Sequence, residues 1–309
     1  MRPLVVALNP SVDVEWRVAR VRWEEKNEVL AERRWAGGKG INVARWLRHL
    51  GARPQLLLPL GGATGREMAG WLRAEKISTT IIPLREATRA NVIVSSEEGG
   101  QLRFNPAGPK LAAREWRSVL AGNKTALPGA SVQVLSGSLP RGVPVAAYAE
   151  LVQRARRAGV KTLLDCDGPA LAAAVGAGPF LVKPNVDELA RWRGRTLASV
   201  TAVRAAAHAL SKATGGWVLV SLGARGGLLV HAREGRELRA PAPRVSPVNT
   251  VGAGDALLAA VARRMEQGEP PEEWLRWGVA VGTAATQLTA GQLPVGRLLE
   301  RMLAAVSVR

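Results

Sequence analysis

Short apolar runs alternate with amphipathic stretches along most of the chain. The runs at 4–8, 55–60, 79–83, 132–136, 161–165, 180–183, 217–221 and 227–231 are rich in Val, Leu and Ile. Several are almost continuously apolar, which predicts strands buried on both faces of a parallel sheet. Between them a helical period predicts helices over 40–50, 65–76, 110–121, 144–158 and 199–213, two of them followed by stop residues at Gly51 and Gly159. Beyond residue 252 the pattern is helical, over 253–267, 271–289 and 295–306. Such alternation predicts an α/β fold: a doubly wound, mostly parallel sheet flanked by helices on both faces.

Two segments break the alternation. Residues 12–35 read as extended and charged, and 88–104 read as a hairpin turning at Gly99-Gly100. Both are too polar for a central sheet, so they predict a small β-sheet lid beside the main body. No repeat, low-complexity tract or change of composition divides the chain. A single domain over 1–309 is expected, with the lid formed by about 12–35 and 88–104.

Composition narrows the possible functions. A chain of 309 residues can bury a sizeable core, which excludes a disulfide-stapled miniprotein and a disordered tail protein. Cys166 is the only cysteine, so no internal disulfide exists. No apolar run approaches the roughly 18 residues of a membrane span, and a soluble, cytoplasmic protein is expected. The formal charge of +18 raises the question of an anionic partner. The basic residues are scattered over helices and their ends, without a block of five or six and without zinc-finger or RNP spacing. Solvated helix faces account for most of this charge. The ten Trp read as core and rim packing, and His49, His208 and His231 lack metal-site spacing.

The strongest chemical signal is the run 248–256, VNTVGAGDA, opening a long helix. Gly252, Ala253 and Gly254 leave backbone N–H groups uncovered at a helix start, where the helix dipole favours an anion. Asp255 falls in the first turn beside that hole, placed to accept a proton from an attacking hydroxyl. The same residues also suit an ordinary Gly-rich turn with a first-turn acid, so spacing alone leaves both readings open. The second signal is 36–44, AGGKGINVA, which combines close backbone approach, the positive charge of Lys39 and Asn42 on the opening turn of a helix. Neither run is a Walker A loop or a G-x-G-x-x-G fingerprint.

Together GGKGINVA and NTVGAGDA resemble the two signatures of the PfkB (ribokinase-like) carbohydrate kinases. ALNPSVDVEWRV at the start, TRANV at 88–92, SGSLPRG at 136–142, KPNVDEL at 183–189 and SLGARGGLLV at 221–230 match in order, so the resemblance spans essentially the whole chain. NEVL before GGKG, the TRANV and NPAGP pair and the non-Asp residue before TVGAGD look like the phosphosugar branch. That branch contains 1-phosphofructokinase, tagatose-6-phosphate kinase and minor 6-phosphofructokinases. The resemblance implies an ATP-dependent phosphotransferase acting on a phosphorylated ketohexose, fructose 1-phosphate first, then tagatose 6-phosphate or fructose 6-phosphate.

It also assigns roles. Asp255 would be the base and Gly252, Ala253 and Gly254 the anion hole. Asp13, Gly37, Gly38 and Asn42 would hold sugar hydroxyls. Lys39 and Arg89, with Ser138, would hold the substrate's phosphate, and Lys26 on the lid would reach across a dimer. Lys183, Asn185 and Glu188 would serve the nucleotide, the last two organising Mg²⁺ through water, and Ser221, Gly223 and Gly226 would line the nucleotide loop. A homodimer through the lid is implied, with neither nucleic acid nor membrane as partner. Three residues depart from the family pattern: Asn249 stands where Asp is common, DCDGPAL occupies 165–171, and Arg141 replaces a usual Pro. Two alternatives stay open, a kinase of a non-phosphorylated sugar or nucleoside and a non-catalytic polyanion-binding protein.

Overall fold

A computed structural model of the chain describes residues 2–289, 291–294 and 297–309. The chain begins with β1 (Arg2–Val6), β2 (Ser11–Val18), β3 (Ala31–Gly37) and α1 (Lys39–His49). It continues through β4 (Gln55–Gly61), α2 (Gly62–Ala74), β5 (Ser78–Leu84), β6 (Arg89–Ser96) and β7 (Gln101–Phe104). Next come α3 (Ala113–Ala126), β8 (Ala130–Ser136), α4 (Ala147–Arg157), β9 (Lys161–Asp165), α5 (Gly168–Val175) and β10 (Leu181–Val182). The last part holds α6 (Val186–Arg193), α7 (Val200–Thr214), β11 (Trp217–Ser221), β12 (Gly227–His231) and β13 (Arg236–Ala240). It closes with α8 (Ala253–Glu266), α9 (Pro271–Ala285) and α10 (Leu298–Ala305).

The main sheet has nine strands in the order β13-β12-β11-β10-β9-β8-β1-β4-β5. It is parallel except where β12 pairs antiparallel with both neighbours. Successive side chains of each central strand enter opposite cores. Val5 and Val134 join α1, α2, α8 and α9 on one side, whereas Leu4, Val6 and Leu135 join α3, α4, α5, α6 and α7 on the other. This two-sided burial explains why the strands read as unbroken apolar runs instead of alternating ones.

The second sheet, in the order β3-β2-β6-β7, is the lid. Its β6–β7 connection turns at Gly99 and Gly100, both with positive φ, at the position read from the sequence. Strand β2 continues from β1 through Asn9-Pro10, and β3 runs into α1, so the lid is tied to the body beside the sheet's centre.

Several boundaries differ from expectation. The helix expected over 110–121 starts only at Ala113, and that over 144–158 at Ala147. The strand expected over 180–183 shrinks to two residues. Helices α5 and α6 and strand β13 were not foreseen. The helix expected over 295–306 is α10, and residues 295 and 296 lie outside the described residues. Among the described residues no helix is long and apolar enough to cross a membrane.

Candidate active site

Chain order reverses direction between β1 and β8: from β1 the sheet proceeds to β4 on one side and to β8 on the other. In open α/β sheets, the crevice beyond the strand C-termini at such a point is where ligands bind. Here Ala7 and Asn9 leave β1, and Ser136, Gly137 and Ser138 leave β8. With Gly38, Lys39, Arg89, Cys166, Asp167 and Glu188 they line a cavity of about 260 Å³.

Asp255 sits in the first turn of α8, 5% exposed. The helix opens on Gly252, whose φ of 82° is left-handed and therefore suits glycine. The first amides of a helix have no intrahelical acceptor and can meet an anion; of those at 253–255, the Ala253 amide makes a long turn bond to the Thr250 carbonyl, at 3.4 Å. Asn42 of α1 donates Nδ2–H to Asp255 Oδ2 at 2.8 Å, fixing the carboxyl group. Burial, followed by the neighbouring Asp165 carboxylate, pushes the Asp255 carboxyl up to about 7. The Asn42 bond and the charges of Lys39 and Lys183 act in the opposite direction.

A charge cluster sits beside it. Asp165, 1% exposed at the end of β9, has Oδ1 3.2 Å from Lys39 Nζ and 3.4 Å from Lys183 Nζ. Burial would raise its pKa, but the two ammonium groups outweigh burial and hold it low. Burial likewise opposes the charge on Lys39, yet Asp165, Glu188 and Asp255 hold its pKa above the ordinary lysine value. Glu188 and Asn185 form a capping box at the start of α6. The Glu188 amide donates to Asn185 Oδ1 at 2.8 Å, and the Asn185 amide donates to Glu188 Oε2 at 2.9 Å. Glu188 Oε1 lies 3.5 Å from Lys39 Nζ. A Cβ on Gly254 would stand 3.3 Å from Lys183 Nζ, which puts that lysine against the N-terminus of α8.

Asp13, on β2, accepts from Ser11 Oγ at 2.8 Å and from Asn91 Nδ2 at 2.9 Å through Oδ1. Burial raises its pKa against those two bonds. A Cβ at Gly37 would fall 2.1 Å from Asp13 Oδ2, so this contact requires glycine. Asp13, Asn42 and Gly252 line a second cavity of about 150 Å³, together with Trp35 and Arg103 of the lid.

Arg89 and Ser138 meet through Asn9. Asn9 Nδ2 donates to Ser138 Oγ at 3.0 Å, while Arg89 Nη2 donates to the Asn9 carbonyl at 2.9 Å. Arg89 Nη1 donates to the Pro106 carbonyl at 2.9 Å, and Nε is buried without a partner. Burial lowers the Arg89 pKa, opposed by Asp13.

The residues read from the sequence thus divide. Asp255, Gly252, Ala253, Gly254, Asn42, Lys39, Lys183, Asn185 and Glu188 converge at one spot, and Asp13, Gly37, Gly38, Arg89 and Ser138 adjoin it. Ser221, Gly223 and Gly226 form the β11–β12 turn, joined to the site through a bridge between Ser221 and Asn185. Lys26 is exposed in the β2–β3 loop and lines neither cavity. Asp165, Asn9 and Asn91 were missed as site residues. Asp165 carried a readable signal: an acid ending an otherwise apolar buried strand.

The donor chemistry suits a hydrated cation. Glu188 Oε1 has only the long Lys39 contact, and Asp165 Oδ2 is buried without a partner. Among the described residues no three His, Cys, Asp or Glu gather into a protein cage. Hard oxygen donors of this kind fit Mg²⁺, which keeps most of its water.

The family model for pfkB family carbohydrate kinases matches residues 11–296. The chain belongs to the pfkB family of carbohydrate kinases. As a pfkB kinase it is a phosphotransferase with an alcohol group as acceptor, and ATP is the donor. It is 34% identical to the ATP-dependent 6-phosphofructokinase isozyme 2 of Escherichia coli, over 93% of each chain. It is 35% identical to the 1-phosphofructokinase of Rhodobacter capsulatus, over all of this chain and 98% of the relative. The structure of Escherichia coli phosphofructokinase-2 in complex with fructose-6-phosphate superimposes with a TM-score of 0.90 at 33% identity, over 98% of both chains. The fold is the ribokinase-like α/β fold, with its mostly parallel sheet and four-stranded lid.

Proposed function

We propose that this pfkB kinase transfers the γ-phosphoryl group of ATP to a hydroxyl of a phosphorylated ketohexose. Fructose 1-phosphate is the first choice, ahead of tagatose 6-phosphate and fructose 6-phosphate. The observation that carries the reading is Asp255: a buried carboxyl held by Asn42 at the N-terminus of α8, with a pKa pushed up to about 7. A base tuned to the working pH is the most effective proton acceptor.

In the proposed reaction, Asp255 takes the proton of the acceptor hydroxyl as its oxygen bonds to the γ-phosphorus. The bond from phosphorus to the β-γ bridging oxygen breaks, and ADP leaves with that electron pair. The amides of Gly252, Ala253 and Gly254 stabilise charge on the transferring oxygens, with Lys183 beside them. Transfer of this kind relies on positioning and charge stabilisation more than on covalent chemistry. Asp13, Gly37, Gly38 and Asn42 orient the sugar, and Lys39, Arg89 and Ser138 take its phosphate. Asn185 and Glu188 would hold Mg²⁺ through water, and the ion neutralises charge on the nucleotide phosphates when bound. Ser221, Gly223 and Gly226 line the nucleotide's edge of the site. The body and lid act as one domain, and two copies pair through the lid, which brings Lys26 to the partner's pocket.

One observation favours a non-phosphorylated acceptor: both terminal nitrogens of Arg89 are engaged by backbone carbonyls. A coupled ADP-release assay with Mg²⁺-ATP decides, comparing the three ketohexose phosphates with fructose, ribose and adenosine. Activity on at least one phosphosugar is expected, and Arg89→Ala is expected to raise its KM by about tenfold or more. Turnover only of unphosphorylated acceptors, indifferent to Arg89→Ala, would favour the second reading.

A further inference from the structure

Three consecutive backbone carbonyls in the segment 105–110 are each gripped by a different side chain. Arg89 Nη1 holds the Pro106 oxygen at 2.9 Å, Asn9 Nδ2 the Ala107 oxygen at 3.1 Å, and Arg141 Nε the Gly108 oxygen at 2.9 Å. Asn9 and Arg89 line the cavity of about 260 Å³, whereas Arg141 does not. Arg141 lies outside the strap, in the loop that also carries Ser138. Its Nη2 is 3.2 Å from Glu86 Oε2, and the same oxygen accepts the Lys110 amide at 2.7 Å. The backbone adds a further tie, since Leu111 N–H donates to the Arg141 carbonyl at 2.9 Å. Clearance is small: a Cβ at Gly108 would stand 2.2 Å from Asn9 Oδ1 and 3.3 Å from Arg89 Cδ. A shift of this 105–110 strap therefore displaces two cavity-lining side chains: Asn9, which donates to Ser138, and Arg89, which is joined to Ser138 only through Asn9.

We propose that Arg141 is a positioning residue for the phosphate end of the acceptor pocket, acting through the 105–110 strap on Arg89, Asn9 and Ser138. The proposal rests on the phosphosugar reading of that pocket. Arg141 touches no reacting atom. Its guanidinium latches the strap from outside, so that Arg89 and Asn9 meet an acceptor phosphate from fixed positions. Preorganisation of this kind acts on acceptor binding and leaves the proton transfer at Asp255 alone. The bond to the Gly108 carbonyl dominates, because the Arg141–Glu86 pair is exposed, 57% and 47% at the two side chains, and such pairs contribute little.

Two measurements test this on Arg141→Ala and Glu86→Gln, both surface changes compatible with folding. In steady-state assays Arg141→Ala is expected to raise the phosphosugar KM roughly three- to tenfold, with kcat and the ATP KM within about twofold. Glu86→Gln is expected to have a smaller effect in the same direction. In ligand-free protein, hydrogen exchange at the Lys110 and Leu111 amides is expected to accelerate severalfold in Arg141→Ala and to stay unchanged elsewhere. An unchanged phosphosugar KM, or a fall in kcat alone, would overturn the positioning role. Unchanged exchange at both amides would overturn the latch itself. A wild-type protein inactive on every sugar phosphate would instead contradict the functional reading, while the exchange rates would still decide whether the latch exists.

Discussion

Asp255 combines three local properties: burial, a first-turn position on α8 and a single oriented hydrogen bond from Asn42. Because its pKa is raised to about 7, the carboxyl is protonated below that pH and unable to accept a proton. The kcat/KM profile, which reports the free enzyme, should therefore have an acid limb near pH 7 instead of near 4, checked by steady-state assays between pH 5 and 9. The same shift has a stability consequence of the opposite sense. A carboxyl whose folded pKa lies above its unfolded value binds more protons when native, so its contribution falls as pH rises from the ordinary carboxylate range to about 7. Asp255→Asn should thus raise Tm most at pH 8, with a gain that shrinks as pH falls. At this scale the sequence was informative about residue types and silent about partners. VGAGDA marked the proposed base and anion hole, but nothing in it placed Asp165 between Lys39 and Lys183. That contact joins positions 126 residues apart in sequence, across two different strand–helix units.

Among the elements, the central strands were legible because burial on both faces leaves only apolar positions. Helices α5 and α6 are eight residues each, too short for a helical period to stand out. Strand β13, RELRA, is an edge strand with mostly half-buried positions, and its charge hid it. The lid was readable as polar extended chain, and its two-body attachment was not. One tether is Arg45 of α1, which donates Nη1–H to the Ala36 carbonyl of β3 at 2.6 Å and pairs with Glu75 beyond α2. Arg45 is 9% exposed and the Glu75 side chain 31%, so removing Arg45 unpairs a half-exposed carboxylate and leaves the Ala36 carbonyl at the end of the lid strand without its donor. Arg45→Ala should lower unfolding free energy by about 1–3 kcal/mol, measured by urea denaturation, and should raise the acceptor KM through Gly37 and Asp13.

For the whole molecule, most of the +18 charge is surface Arg, while Lys39, Lys183 and Arg89 are drawn into the site. The lid leaves Trp23 75% exposed, with Phe104, Leu30 and Val29 also exposed. These exposed apolar side chains are ones that the proposed pairing of two copies through the lid would cover. Trp23→Asp should shift the protein towards monomer in size-exclusion chromatography with light scattering, and an unchanged mass would contradict pairing through the lid. The most direct test of the central claim is the turnover of Asp255→Asn on the best phosphosugar with Mg²⁺-ATP. The predicted result is a fall in kcat of about 10²- to 10⁴-fold with substrate binding largely retained. Turnover close to that of the unmodified protein would contradict the assignment of Asp255 as the base.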